Sequence, residues 1–300
     1  MLSAEQIAAY HAQGYTLVEG AVAPALLAEI NRIVDDFVAK ARGVTANNEV
    51  YDLESTHTPE APRVRRLKEP VERHPLFWEL VRSPGVIGPV TQLLGPDVRL
   101  HGSKLNMKAA GYGAAVEWHQ DWAFYPHTND DLLAVGVMLD DVALENGPLM
   151  VVPGSHRGKI YDHHHDGYFH GAVNLAVETP DLASAVTLTA KAGSMSIHHV
   201  RMLHGSAVNR SNRQRRMLFY EIAAADAWPL FSDLPNYRDF KHFNDRMIVG
   251  RPSVEPRVVP APIRMPLPIR RRPESIYALQ EETSNRYFGG YEEAPRKQAT

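Results

Sequence analysis

Trp118-His119-Gln120-Asp121-Trp122 is the stretch on which the reading of this chain turns. It sets two metal-capable side chains, His119 and Asp121, two positions apart. Residues i and i+2 of a strand project from one face. A strand running from Glu117 to Tyr125 would therefore bring an imidazole and a carboxylate to one point. A third ligand has to come from elsewhere, and the best candidate is His204, 85 positions on. Two histidines and a carboxylate occupy one face of an ion and leave other positions open, as in mononuclear non-haem Fe(II) sites that activate oxygen. Zinc with three protein ligands and a water is the competing chemistry, and ligand identity alone does not separate the two. A lone His-x-Asp is common by chance. Here Trp118, Trp122, Phe124 and Tyr125 surround it with the makings of a dry wall.

The rest of the composition narrows the chemistry. The chain has 300 residues, 44% apolar and 22% charged, ordinary values for a globular protein with a sizeable core. A net charge of −3 and a pI near 6.6 give no electrostatic reason to expect nucleic acid or an anionic membrane. No apolar run is long enough to span a bilayer. Met1-Leu2-Ser3-Ala4-Glu5-Gln6 lacks the regions of a signal peptide, so a cytoplasmic location is expected. The absence of cysteine excludes disulfides, thiolate metal sites and cysteine nucleophiles. Any metal must be held by nitrogen and oxygen, and the chain has 15 histidines.

Outward from the motif, residues 1–97 read as mostly helical. Ser3 with Gln6 makes a capping box and Gly14 a stop. A short extended piece, Tyr15 to Val18, follows. Pro24 opens a helix with an apolar stripe from Leu26 to Val38, ended by Gly43. Residues 44–62 are polar and irregular, a mobile loop or a lid. Short helices are expected at 75–82 and 85–94. From 98 to 225 the pattern changes to strands and Gly/Pro turns: Val98 to Met107, the motif, Leu132 to Leu139, Leu149 to Val152, Ser194 to His199, a piece around His204, and Arg215 to Ala223. Such a series predicts a mainly β fold with flanking helices, of the jelly-roll, cupin-like kind. Residues 226–300, rich in proline, read as an extension packed on the core of a single domain, with a final short helix near 274–284. Arg270-Arg271-Arg272 within it reads as a solvated charge run.

A second stretch, Arg213-Gln214-Arg215-Arg216-Met217-Leu218-Phe219-Tyr220, carries a pair of candidate anion binders. On a strand, Arg215, Met217 and Phe219 share one face and Arg216, Leu218 and Tyr220 the other. A buried arginine needs an anion, and its fork matches a carboxylate bidentately. Periodicity leaves Arg215 and Arg216 equally placed to hold a dicarboxylate beside the metal.

His119-Gln120-Asp121, the phrase from Leu144 to His156 (Leu-Glu-Asn-Gly-Pro-Leu-Met-Val-Val-Pro-Gly-Ser-His), and His204-Gly205-Ser206 followed by Arg215 together resemble the phytanoyl-CoA dioxygenase family of Fe(II)/2-oxoglutarate oxygenases. Gly14-Tyr15 and the helix after it are similar to that family's start. The resemblance covers about residues 1–225. It implies a double-stranded β-helix, with His119, Asp121 and His204 as ligands of Fe(II). It implies Arg215 as the partner of the far carboxylate of 2-oxoglutarate, assisted by Ser206. Gln120 lies against the cosubstrate in some members. Lys104 or Asn106, and Arg66, are further candidates for the cosubstrate pocket. The implied reaction consumes O2, converts 2-oxoglutarate to succinate and CO2, and hydroxylates an aliphatic carbon of a small organic molecule. Related halogenases carry a small residue in place of the carboxylate, so Asp121 argues against halogenation.

Desaturation or rearrangement on the same fold, a zinc or manganese isomerase of the jelly-roll class, and a non-enzymatic metal-binding protein are the rivals. Trp122, Phe124 and Tyr125 are candidates for stacking on substrate. His163-His164-His165 reads as a polar loop; of His198 and His199 only one can point inward, and it reads as a satisfied core histidine rather than a fourth ligand. Substrate identity and oligomeric state are not legible, because specificity resides in loops such as 44–62, 157–185 and 226–250.

Overall fold

The helix expected after Pro24 runs Pro24–Lys40, and its buried side chains Ile30, Ile33 and Val34 explain why it forms where it does. They pack on one face of a large sheet. In this computed structural model the described residues are 1–300 except 112, 231–237, 265–274, 282, 284–285 and 289–300. The Arg270–Arg272 run lies outside them. Up to the motif, the elements are α1 (Ala4–Gln13), β1 (Tyr15–Val18), α2 (Pro24–Lys40), β2 (Tyr51–Leu53), β3 (Val64–Lys68), α3 (Leu76–Arg82), α4 (Pro84–Leu94), β4 (Val98–Lys108) and β5 (Val116–Gln120). After it come β6 (Leu132–Met138), β7 (Leu149–Val151), β8 (His164–His165), β9 (Tyr168–Phe169), β10 (Val186–Leu188), β11 (Met195–His199), β12 (Leu203–Ser206), β13 (Arg215–Ala224), α5 (Phe240–Asp245), β14 (Met247–Val249) and α6 (Ile276–Glu281).

Two antiparallel sheets make a jelly roll. The larger has the order β1-β11-β6-β13-β4-β3-β2, with β14 also on β4, and the smaller has the order β10-β7-β12-β5. Alternation along β13 decides the layering. Leu218, Tyr220 and Ile222 join Ile33, Phe77, Leu80 and Val90 in the main core under the helices. Arg215, Met217 and Phe219 face the other way, into a cavity between the sheets. All seven residues of β6 are buried, which is why its apolar run is continuous. Each large apolar side chain buried in this layer contributes about 1.5–3 kcal/mol.

Several expectations need correction. The strand expected from Glu117 to Tyr125 ends at Gln120, and Asp121–Ala123 turn into a 3-10 helix. Gln120 is still extended, with φ −120° and ψ 126°, so Asp121 keeps the face of His119. Residues 44–62 are not wholly irregular, because β2 lies within them and pairs with β3 at the sheet edge. Val64 and Leu67, the apolar residues of β3, are three apart, so no period-2 signal announces that strand. His163-His164-His165 is no solvated loop. His163 and His165 are buried, and β8 pairs with β9 in a two-stranded hairpin. β10, α5 and β14 are elements the sequence pattern does not announce.

The described part of the C-terminal extension packs on this core. Arg257 pairs with Asp131, and the Trp122 indole N–H donates to the Pro262 carbonyl at 2.9 Å. α6 sits against β5 through Gln280, which accepts from the Glu117 N–H at 2.9 Å.

Candidate active site

β5 and β12 are neighbours in the small sheet, and their register sets His119 directly opposite His204. Their ring centroids are 4.0 Å apart. Asp121, just past the end of β5, reaches the same point: its Oδ1 is 3.8 Å from His119 Nε2 and 4.0 Å from His204 Nε2. One donor atom from each of the three lies within 4.8 Å of the others, and all three residues are buried. Among the described residues this is the group of histidine and carboxylate side chains able to hold a metal.

The backbone presets the imidazoles. His119 Nδ1 is 2.8 Å from the Glu117 carbonyl and His204 Nδ1 is 3.0 Å from the Met202 carbonyl. A carbonyl only accepts, so each Nδ1 carries the proton and each Nε2 keeps a lone pair aimed inward. Burial lowers the pKa of His119 to about 4 and that of His204 well below its ordinary value. Burial alone would raise Asp121, but the opposing charge of Lys104 foremost outweighs it and holds the carboxyl well below the usual range. The pocket thus presents two neutral imidazoles and one ionised carboxylate, a donor set that fits a divalent first-row metal such as iron.

The cavity beside these three residues occupies about 520 Å³ including its open mouth. It brings together many of the residues singled out from the sequence: Arg66, Lys104, Asn106, Ser206 and Arg215 all line it. β4, β13 and β3 explain this, since Lys108 pairs with Arg215, Asn106 with Met217 and Arg66, and Lys104 with Phe219. Side chains paired across strands share a face. Arg215 and Arg216 are separated by their partners. Arg216 lies on the helix side, with Asp140 and Asp35 both at 2.7 Å. Arg215 is buried with no carboxylate partner among the described residues, and its guanidinium donates to the Gly147 carbonyl. Lys104 pairs with Glu221 at 2.6 Å. Although burial opposes it, Glu221 and Asp121 raise its pKa, so it stays charged.

Other candidates are not in the cavity lining. Gln120 is fully buried on the opposite side of β5. Its amide donates to the carbonyls of Lys159 and Arg201 at 3.2 and 3.0 Å and accepts from the Tyr161 N–H at 2.9 Å. The i, i+2 rule that puts His119 and Asp121 inside puts Gln120 outside. Trp122 and Tyr125 belong to a separate core cluster, and Phe124 packs edge-on against His119 and Phe169. His163 accepts the Gln120 N–H at 3.0 Å, a support behind the motif.

Of His198 and His199 it is His198 that lines the cavity, and it is not the satisfied core histidine expected there. Its Nε2 lies 3.6 Å from Asp121 Oδ2, too far for a hydrogen bond. Neither ring nitrogen has a hydrogen-bond partner among the described residues. Lys108 was also missed, although the alternation Lys104, Asn106, Lys108 on one strand carried the signal. Ile276 and Tyr277 line the cavity from α6, and no local pattern in the chain could have placed them there.

The chain is similar to known proteins over most of its length. The family model described as Phytanoyl-CoA dioxygenase (PhyH) matches residues 10–217. A protein of Stutzerimonas stutzeri named "Probable alpha-ketoglutarate-dependent hypophosphite dioxygenase" is 38% identical over 289 residues, 95% of this chain and 99% of that one. The ectoine dioxygenase of Bordetella parapertussis is 31% identical over 243 residues, 73% of this chain and 74% of that one. The crystal structure of EctD from S. alaskensis with 2-oxoglutarate and 5-hydroxyectoine superposes with a TM-score of 0.61 at 25% identity, covering 75% of this chain and 77% of that one.

Proposed function

The chain belongs to the phytanoyl-CoA dioxygenase family and is an Fe(II)/2-oxoglutarate-dependent dioxygenase acting on a small molecule, and from that premise we propose that it hydroxylates a small anion held between its two sheets. His119, Asp121 and His204 hold the iron. Arg215 binds the far carboxylate of 2-oxoglutarate, with Ser206 beside it. When bound, the iron supplies O2 activation coupled to decarboxylation of 2-oxoglutarate to succinate and CO2.

The chain's own residues do the rest. Neutral Nε2 lone pairs and an ionised Asp121 are ready to bind metal without first losing a proton. Lys104, kept charged by Glu221, lines the same cavity as the carboxylate ligand. His198 offers a free ring nitrogen at the edge of the same space. The enclosing sheets exclude water from the reacting centre.

The observation that carries the choice of substrate is the charge of the lining. Three cationic side chains face the cavity, Arg66, Arg215 and Lys104, the last already paired with Glu221, and burial pushes the Lys108 amine beside them well below its ordinary pKa. A single far carboxylate does not use them all. A buried cation without a counter-charge is costly, so a negatively charged substrate fits. Hypophosphite, the substrate named for a relative that matches nearly end to end, is the first candidate. Its reacting bond is P–H, where the resemblance alone pointed to an aliphatic carbon.

The test measures succinate formed from 2-oxoglutarate with Fe(II) and O2 while hypophosphite or the zwitterion ectoine is added. Hypophosphite should stimulate turnover and yield phosphite, and Asp121→Ala should abolish the reaction. Stimulation by ectoine and not by hypophosphite would overturn the anion preference. Turnover retained in Asp121→Ala would remove that residue from the metal site.

A further inference from the structure

We propose that α6 forms a wall of the active site and that the Tyr277 hydroxyl donates a hydrogen bond to the far carboxylate of 2-oxoglutarate, beside Arg215. The proposal rests on the reading of the pocket given above. It concerns a segment beyond residues 10–217, the part of the chain matched by the family model.

Tyr277 is 3% exposed and lines the cavity. Its hydroxyl is buried and has no hydrogen-bond partner among the described residues. A buried donor left unmade costs more than an ordinary hydrogen bond contributes, so a ligand in the cavity is its natural acceptor. The ring marks the basic end of that cavity, with the Arg65 and Arg66 guanidinium carbons 5.1 and 5.3 Å from its centroid. Arg215 is close enough to act on its ionisation. Burial raises the phenol's pKa and outweighs the three arginines that oppose it. The hydroxyl therefore stays protonated and is a donor, which a carboxylate can accept.

α6 is held firmly enough to serve as a wall. Gln280 bridges two segments: it accepts from the Glu117 N–H at 2.9 Å and donates to the Gly171 carbonyl at 2.7 Å. The Glu117 carboxylate in turn accepts the Tyr287 N–H at 2.9 Å and the Phe288 N–H at 3.2 Å. Phe288 stacks on Trp118 with centroids 5.8 Å apart and planes 25° apart. Gly205, between His204 and Ser206, leaves the space Phe288 needs, since a Cβ there would sit 3.2 Å from its ring. These contacts fix the C-terminal segment to β5 and β12, the two strands that carry the candidate histidine ligands.

Tyr277→Phe tests the proposal, because it removes one oxygen and keeps the ring that packs the wall. Calorimetric titration of the anaerobic Fe(II) protein should show 2-oxoglutarate binding weakened at least about tenfold, the worth of one hydrogen bond to a charged group. Binding of 2-oxopentanoate, which carries a methyl group in place of the far carboxylate, should not change. Without 2-oxoglutarate the variant should melt no lower than the parent, since the hydroxyl it loses has no partner there. Unchanged 2-oxoglutarate affinity, or equal weakening for both acids, overturns the proposal. Failure of the parent protein to bind 2-oxoglutarate would instead overturn the reading of the pocket itself.

Discussion

At Arg215 a guanidinium is 2% exposed, and its Nε has no hydrogen-bond partner among the described residues. Burial lowers its pKa to about 10, so it remains charged at neutral pH, and it has no anionic partner among the described residues. A dicarboxylate cosubstrate supplies one, and truncating one partner of a buried charge pair typically costs about 2–5 kcal/mol. Arg215→Ala should therefore raise the KM for 2-oxoglutarate by at least about 30-fold, read from succinate formation across a range of 2-oxoglutarate concentrations. An unchanged KM would hand the carboxylate to another basic residue, with Lys108 next in line. Arg216→Ala gives the contrast. It breaks the pairs with Asp140 and Asp35, so it should lower stability and leave that KM alone.

The turn before β7 shows how an element positions a residue it does not contain. Gly147 has φ +75°, a conformation that L side chains rarely adopt. Its carbonyl accepts from Arg215, and a Cβ on it would meet the Ala207 carbonyl at 2.6 Å and the Lys108 side chain at 2.8 Å. Gly147→Ala should destabilise the fold by about 1–3 kcal/mol through backbone strain. It should also raise the KM for 2-oxoglutarate, because the carbonyl that orients Arg215 must move. Thermal melts and steady-state kinetics on one preparation check both effects; a variant with parental melting and KM would show the turn to be adaptable. The phrase Asn146-Gly147-Pro148 announces a turn in the sequence. Its service to Arg215, 68 residues away, is visible only in the folded chain.

Over the whole molecule, buried neutral histidines set the response to pH. Burial depresses His101, His163 and His199 to about 3, whereas in an unfolded chain each titrates near 6.5. Between those values the unfolded state binds more protons, so stability falls as pH falls from about 6.5 towards 3. The metal-free protein should lose more than about 10 °C of Tm between pH 7 and pH 5, measured by calorimetry at constant ionic strength. A flat Tm over that window would mean these imidazoles are not buried neutral. No helix among the described residues is long and apolar enough to cross a membrane.

The sequence by itself determined the class of fold, because continuous apolar runs such as Leu132 to Met138 and Gly/Pro turns are local signals that burial imposes on a strand. It also singled out the triplet His119, Asp121 and His204, since metal ligation restricts which residue types can stand at each position. Local spacing could not choose between Arg215 and Arg216, and the phytanoyl-CoA dioxygenase resemblance chose Arg215. The tertiary structure supplied the physical reason by giving Asp140 and Asp35 to one arginine and leaving the other without an anion. It turned Gln120 away from the pocket, sent the aromatic residues after Asp121 into the core, and brought His198, Lys108 and Tyr277 to the cavity. Those outcomes depend on sheet pairing between residues far apart in the chain, and on a helix near the C-terminus docking on β5. Neither leaves a trace in the periodicity of a single segment.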